Sequence, residues 1–339
     1  MKILNVTTEH TANFKILFEV LKDILTEVNM EFRSSPIKVK DEENESDDEE
    51  ENEENEENEE NEENEEEEEE NEEEDKSDKN KEENCIKIDA LDSTKNVLIR
   101  VKLDGAKFDK YVCKKRKLQL GINLACFYKL IKPMGKNDIL TLSVDHDTKN
   151  YLQIKIDNPA EKKVSEINFK LLDLDESKIS IPKIEFDAMV TMDSGEFNRL
   201  CREMSNIADY VEITCLVDKI IFACKGDYAD KKTTYKTTKN DEEDEGNILV
   251  DISHASAQSK NNNAPQIVQG IFELKKLVLF SKCASLCNDI EIYMKNDFPL
   301  VIKYTVATLG RIILCLTPIK EDTTKNANYS DEDEFYDSE

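Results

Sequence analysis

The chain has 339 residues, of which 38% are hydrophobic and 36% charged, with no Trp and a formal net charge of −30. No uncharged apolar run approaches the ~18–20 residues of a membrane-spanning helix, and Met1-Lys2-Ile3-Leu4-Asn5-Val6 lacks the long apolar stretch of a secretory leader. The nine Cys are odd in number and lie within apolar runs, as Cys215, Cys224 and Cys315 do, which argues for a reducing compartment and against a disulfide scaffold.

The charge is concentrated. Residues 41–84 hold 30 Asp and Glu against three Lys, and residues 321–339 hold eight acids against one Lys. Together they account for −34, so the remaining 276 residues carry about +4. A mildly basic body with two acidic appendages follows. That body is long enough to bury a sizeable core, as one large domain or two moderate ones.

In chain order, the first pattern is helical: Phe14, Leu17, Phe18, Leu21, Ile24, Leu25 and Val28 fall on one stripe of period 3.6. Strand-like alternation then appears at Met30-Glu31-Phe32-Arg33 and again at Cys85-Ile86-Lys87-Ile88. The Glu/Asn run between them has almost nothing to bury and is expected to be a disordered insertion, an enlarged turn joining two paired strands. A second helix is predicted over 123–132 through Leu124, Phe127, Leu130 and Ile131, stopped by Pro133. Hairpins are predicted from 139–144 to 151–156 and from 211–215 to 220–224. Between the hairpins, Phe197, Leu200, Cys201, Met204, Ile207 and Ala208 mark a third helix. Residues 230–265 read mainly as polar loop, the exceptions being strand-like Ile248-Leu249-Val250 and the Thr-rich stretch near Tyr235. A fourth helix starts near Phe272, with Leu274, Leu277, Val278 and Ala284, and strands follow at 290–294, 300–306 and 312–316. The result is an antiparallel α+β architecture of four helix-plus-strands units, two per half.

Each helix also carries cations off its apolar stripe. Lys15 and Lys22 are seven apart, as are Lys275 and Lys282; Lys129 and Lys132 are three apart, as are Arg199 and Arg202. For one helix this is an ordinary solvated face. Four in a protein of this overall charge point to a belt that attracts a polyanion through sequence-independent phosphate contact. Catalytic patterns are missing: three His, no nucleophile elbow at Ser194-Gly195-Glu196, and only eight Gly to build phosphate loops. Cys283 and Cys287 have no matching pair at zinc spacing, so neither metal nor cofactor is expected and the chain does not read as an enzyme.

Several stretches resemble the proliferating cell nuclear antigen family of DNA sliding clamps. These are Phe108-Asp109-Lys110-Tyr111, Gly121-Ile122-Asn123-Leu124, and Asn137-Asp138-Ile139-Leu140-Thr141-Leu142. Further along come Leu171-Leu172-Asp173-Leu174-Asp175 with Ile181-Pro182, then Asp193-Ser194-Gly195-Glu196-Phe197, and finally Asp297-Phe298-Pro299-Leu300 with Leu316-Thr317-Pro318. The resemblance implies two similar halves: 1–172, interrupted by the acidic 41–84, and 185–320, with a polar loop at 239–263. A connecting loop at 173–184 joins them, and an acidic tail occupies 321–339. It further implies a head-to-tail homotrimeric ring with Lys15, Lys22, Lys129, Lys132, Arg199, Arg202, Lys275 and Lys282 facing duplex DNA.

By the same resemblance, ring closure pairs the strand bearing Ser165, Ile167 and Phe169 with one bearing Thr233 and Tyr235. Partner peptides dock against Leu91, Ile179, Ile181, Pro182, Pro299, Leu316 and Pro318. The implied partners are a DNA polymerase, other proteins with clamp-binding peptides, and a clamp loader. The implied location is a nucleus, or a cytoplasmic viral replication centre if the source is a large DNA virus. Related readings are a subunit of a heteromeric checkpoint-type clamp or a monomeric clamp-fold processivity factor; an acidic histone chaperone is a more remote one. The sequence departs from the family in its acidic insertion and in Cys315, where many relatives carry an aromatic. Val217 stands in the place of a modifiable lysine, and Phe14 and Ile16, flanking Lys15, thin the cations of the first helix.

Overall fold

The computed structural model describes residues 1–35, 84–175, 179, 184–237, 251–254 and 267–319. The acidic insertion, most of the connecting loop, the polar loop with Ile248–Val250, and the acidic tail lie outside the described residues.

The first half runs β1 (Lys2–Thr8), α1 (Thr11–Ile24), β2 (Glu27–Arg33), β3 (Cys85–Leu91), β4 (Val97–Asp104), β5 (Lys110–Cys113), β6 (Lys117–Asn123), α2 (Leu124–Ile131), β7 (Ile139–Asp145), β8 (Tyr151–Asn158) and β9 (Lys163–Lys170). The second half repeats this order without a change: β10 (Ala188–Asp193), α3 (Ser194–Ser205), β11 (Tyr210–Cys215), β12 (Lys219–Lys225), β13 (Asp230–Lys236), β14 (Asp251–His254), β15 (Val268–Glu273), α4 (Leu274–Ser281), β16 (Asp289–Met294), β17 (Leu300–Val306) and β18 (Gly310–Leu316). The weak periodicity repeat is thus a full structural repeat, each strand matching the one nine places later.

The helices end where local chemistry stops them. α1 closes at Ile24, so Val28 belongs to β2 and not to the helical stripe. Its Thr11 hydroxyl donates to the Gly135 carbonyl (2.9 Å), tying its start to the loop after α2. The Asn123 side chain caps α2 by accepting from the Cys126 N–H, and Asp193 caps α3 from the Glu196 N–H (2.7 Å). α3 ends at Ser205, leaving Ile207 and Ala208 beyond it. α4 is shorter than its sequence pattern predicts, and Ala284 falls in a following 3₁₀ turn, Lys282–Ser285.

Strand pairing is antiparallel throughout and forms three sheets. A five-stranded sheet runs β5-β1-β7-β8-β9, and a four-stranded one runs β13-β12-β11-β15. The nine-stranded sheet runs β14-β10-β16-β17-β18-β4-β3-β2-β6 and contains strands of both halves. Its seam is β18 against β4, from Gly310 opposite Leu103 to Leu316 opposite Val97. β2 and β3 are neighbours, Glu31 opposite Lys87, as the enlarged-turn reading requires. The region read mainly as loop contributes two strands, β13 and β14. The alternation of Thr233 and Tyr235 with exposed Lys232, Thr234 and Lys236 suits a half-buried edge.

Buried side chains from both halves form one continuous core, with Phe14, Phe18, Phe127, Phe197, Phe272, Phe280 and Tyr304 among its largest members. At Gly121 the chain leaving β9 crosses β6: Leu172 N–H donates to the Gly121 carbonyl (2.8 Å), and a Cβ there would lie 2.3 Å from the Leu172 carbonyl oxygen.

A buried ion pair latches the halves together beside the seam. Asp92, in the β3–β4 turn, is 4% exposed and accepts from Lys276 of α4 (2.9 Å), Thr94 (2.6 Å) and the Val97 N–H (2.9 Å). Burial alone would raise its pKa, but these bonds outweigh burial and bring it down to about 2. Because the folded value lies below the unfolded 3.8, the stabilisation is complete above the unfolded value and lost as pH falls through about 2. Asp92→Asn is expected to lower stability by about 2 kcal/mol at neutral pH, measured by urea unfolding. The gap from the parent protein should close between pH 4 and pH 2, as the 3.8 and about-2 values bracket it.

Candidate functional site

The four helices stand side by side in the order α2, α1, α4, α3, with α1 touching α4 across the boundary between the halves. Each sends its apolar side inward, Phe14, Leu17 and Leu21 on α1 and Phe197, Leu200 and Met204 on α3. Their outward sides therefore make one surface, and the predicted cations are on it.

The structure divides those cations into two groups. Lys129, Lys132 and Arg202 are exposed and have no acidic partner among the described residues. The others are engaged. Lys15 donates to the Met134 carbonyl (2.7 Å) and is half-buried. Lys22 pairs with Asp23 and lies 5.0 Å from the centre of the Tyr128 ring. Lys282 reaches across the halves to the same carboxylate, Asp23 (2.5 Å). Lys275 pairs with Asp209 (3.4 Å), and Arg199 with Glu196 (2.6 Å). Burial opposes the ionised form of Asp23, but Lys22 and Lys282 prevail and hold its pKa below the ordinary carboxylate value.

Counting Glu19, Asp23, Glu196 and Glu203, α1 and α3 are electrically neutral. By formal charge the excess belongs to α2, with Lys129 and the adjacent Lys132, and to α4, with Lys275, Lys276 and the adjacent Lys282, but each α4 cation faces an acid on another element. Lys276 is the cation that sequence reading passed over. Its partner Asp92 is 184 positions away, so no local spacing could flag the contact, whereas the Glu196–Arg199 pair is an i,i+3 spacing readable from the sequence.

β9 is one outer strand of the five-stranded sheet, at the other end from β5, and β13 is one outer strand of the four-stranded sheet, at the other end from β15. Ile167 and Phe169 on β9 and Tyr235 on β13 pack partly onto the core of their own chain. Phe169 meets Phe127 edge-on at 6.0 Å, and the Tyr235 hydroxyl donates to Glu196 (2.7 Å). Ser165 and Thr233 are half-exposed on the same strands.

The expected peptide pocket is assembled only in part. Leu91 is 42% exposed, and Ile179, Pro299 and Pro318 are half-exposed. Ile181 and Pro182 lie outside the described residues. Leu316 is a correction: at 2% exposure it points into the core. Leu316 is opposite Val97, while Cys315 is opposite Leu98, which in turn is opposite Leu91. The pleat therefore gives Cys315, not Leu316, to the outward face that Leu91 shares.

Two repeated halves, a shared sheet across their seam and a single row of four helices define a clamp-type α+β protein. The chain matches the family description "Proliferating cell nuclear antigen, N-terminal domain" over residues 75–178 and the corresponding C-terminal domain over 180–319. It is 32% identical over 241 residues to a probable DNA polymerase sliding clamp of Acanthamoeba polyphaga mimivirus, a match covering 70% of this chain and 48% of that protein. It is 30% identical over 238 residues to probable DNA polymerase sliding clamp 1 of Paramecium bursaria Chlorella virus 1, covering 69% and 84%. The chain therefore spans about half the length of the first relative and most of the second. It belongs to the proliferating cell nuclear antigen family.

Lys129 and Lys132 should dominate attraction to polyanions. On immobilised duplex DNA, Lys129→Glu with Lys132→Glu is expected to reduce the slope of log affinity against log salt by roughly 0.9 for each phosphate that is no longer neutralised. Lys15→Ala, which removes a cation already committed to Met134, should leave the slope nearly unchanged.

Proposed function

We propose that this protein is a DNA sliding clamp, a non-enzymatic processivity factor that encircles duplex DNA and tethers a DNA polymerase to it. The observation that carries this reading is the continuous helix row, on which Lys129, Lys132 and Arg202 present cations with no acidic partner among the described residues. A ring held by topology needs only a diffuse positive lining, since tight or sequence-reading contacts would halt sliding. The acidic stretches at 41–84 and 321–339 add repulsion for DNA elsewhere on the surface.

The internal repeat supports ring closure. By strand order, β9 matches β18 and β13 matches β4. Within the chain, β18 pairs with β4; the equivalent pair, β9 with β13 of a neighbouring copy, would extend the same arrangement head to tail. It would also cover two strand edges that otherwise invite unspecific pairing. Three copies, each contributing two halves, form the homotrimer of this reading, opened and closed on DNA by a clamp loader. Polymerase and other partners would dock a short peptide beside Leu91, Cys315, Pro299 and Pro318. Such a protein works where viral or cellular DNA is replicated, in a nucleus or a viral replication centre.

Native mass across a range of concentrations tests the ring, with a species near three times 39.1 kDa expected and a strict monomer removing the topological mechanism. Polymerase extension on a primed circular template tests the function. Much longer products are expected with the clamp and a loader on the circle, and the gain should vanish on linear templates whose ends let a ring escape. Equal stimulation on both would overturn the encircling mechanism.

A further inference from the structure

The face of the nine-stranded sheet turned away from the core carries charge that the ring leaves unused. The registers set Lys87 opposite Lys102 and Lys102 opposite Arg311, three cations in one cross-strand row on β3, β4 and β18. The next row is relieved by acids, Arg100 with Asp89 (3.1 Å) and Lys303 with Glu291 (2.9 Å). The first row has no ion pair among the described residues, although Glu291 and Glu31 act on Arg311 and Lys87 through space. Glu31 stands opposite Lys87 at its end, but its carboxylate pairs with Arg33 and Lys117. Like charges directly opposite one another on neighbouring strands destabilise a sheet. Burial, Arg33 and Lys102 together push the Lys87 ammonium below its ordinary pKa.

Arg311 also stands at the rim of a cavity of about 220 Å³, lined further by Phe186, Tyr293, Val301, Lys303 and Ile313. The Phe186 and Tyr293 rings are 5.4 Å apart and inclined at 50°. They form a notch that suits one bulky side chain, not a flat shelf for stacking a base. This cavity runs along β17 and β18 from Lys303 and Arg311 to Val301, the residue opposite Cys315.

A segment of matching chemistry is present in the same chain. Asp331-Glu332-Asp333-Glu334-Phe335-Tyr336-Asp337 sets two aromatic side chains among five carboxylates. Phe335 is sixteen positions beyond Ile319, a length that reaches up to roughly 50 Å. The path back from Ile319 along β18 to Arg311 is eight positions, roughly 26 Å. Any outside anion would also compete with a tethered one whose effective concentration is on the order of millimolar.

We propose that the Lys87–Lys102–Arg311 row and the adjoining Phe186–Tyr293 notch bind the chain's own segment 331–337, with carboxylates on the cations and an aromatic ring in the notch. Self-docking of this kind neutralises the row, in which Arg311 is exposed and Lys87 and Lys102 are half-buried, and screens it from DNA.

The absence of Trp provides the test. Tyr336→Trp in the full chain creates a single Trp, which is excited selectively at the red edge of the absorption band where the remaining nine Tyr do not absorb. Its emission should be blue-shifted and its quenching by acrylamide about threefold weaker than in the same protein carrying Lys102→Glu and Arg311→Glu, as for a ring withdrawn from water. Added salt should weaken the protection. Phe186→Ala, which leaves every cation in place, should remove part of it, and circular dichroism verifies that each variant is folded. Equal quenching with and without the charge reversals overturns the proposal. Protection that fades on dilution overturns it as well, by assigning the site to the segment of a second copy.

Discussion

The seam between β18 and β4 is the constraint from which the rest of the architecture follows. Seven residue pairs, from Gly310–Leu103 to Leu316–Val97, join two repeated halves into one sheet. Because each half carries its helices at fixed positions relative to its strands, fusing the sheets also fixes the helices. α1 and α4 meet across the boundary, and four separate amphipathic segments become one ordered row. The latch from Lys276 to Asp92 and the Asp23 carboxylate shared by Lys22 and Lys282 hold this register from either side of the seam.

The same row shows how charge is apportioned. By formal charge α1 and α3 are neutral, yet Arg202 is left without an acidic partner among the described residues, since Glu203 turns to Lys231 and Glu196 to Arg199. Lys129 and Lys132 of α2 supply cations with no acidic partner among the described residues, whereas Lys275, Lys276 and Lys282 of α4 each face an acid. A weak, distributed field is what a sliding ring requires, since contacts of similar strength at successive phosphates leave no preferred stopping point. A chain with a net charge of −30 still presents, on its helix row, cations with no acidic partner among the described residues.

Strand edges give the repeat its second consequence. Within one chain the last strand of the second half finds its partner in the first half, while β9 and β13 are left as outer strands. The molecule thus carries one satisfied seam and the two components of another. That asymmetry underlies the proposed head-to-tail assembly, in which the meeting edges would carry the partly buried Ile167, Phe169 and Tyr235.

By itself the sequence determined the fold class, the four helices, most of the hairpins, the pairing of 30–33 with 85–88 across the acidic run, and the cations off the apolar stripes. These are local properties, set by periods of 2 and 3.6 and by nearby caps and stops such as Asn123, Asp193 and Pro133. Tertiary structure alone decided which cations are free to act. Lys282 is balanced by Asp23, 259 positions away, Lys276 by Asp92, and Lys15 by a backbone carbonyl, and none of these partners is visible to any local pattern. It also turned Leu316 inward and Cys315 outward, because the face a strand residue occupies is fixed by register against its neighbours. The alignment of Lys87, Lys102 and Arg311 has the same origin: three ordinary residues, far apart in the chain, become a charged row only when cross-strand hydrogen bonding sets them side by side.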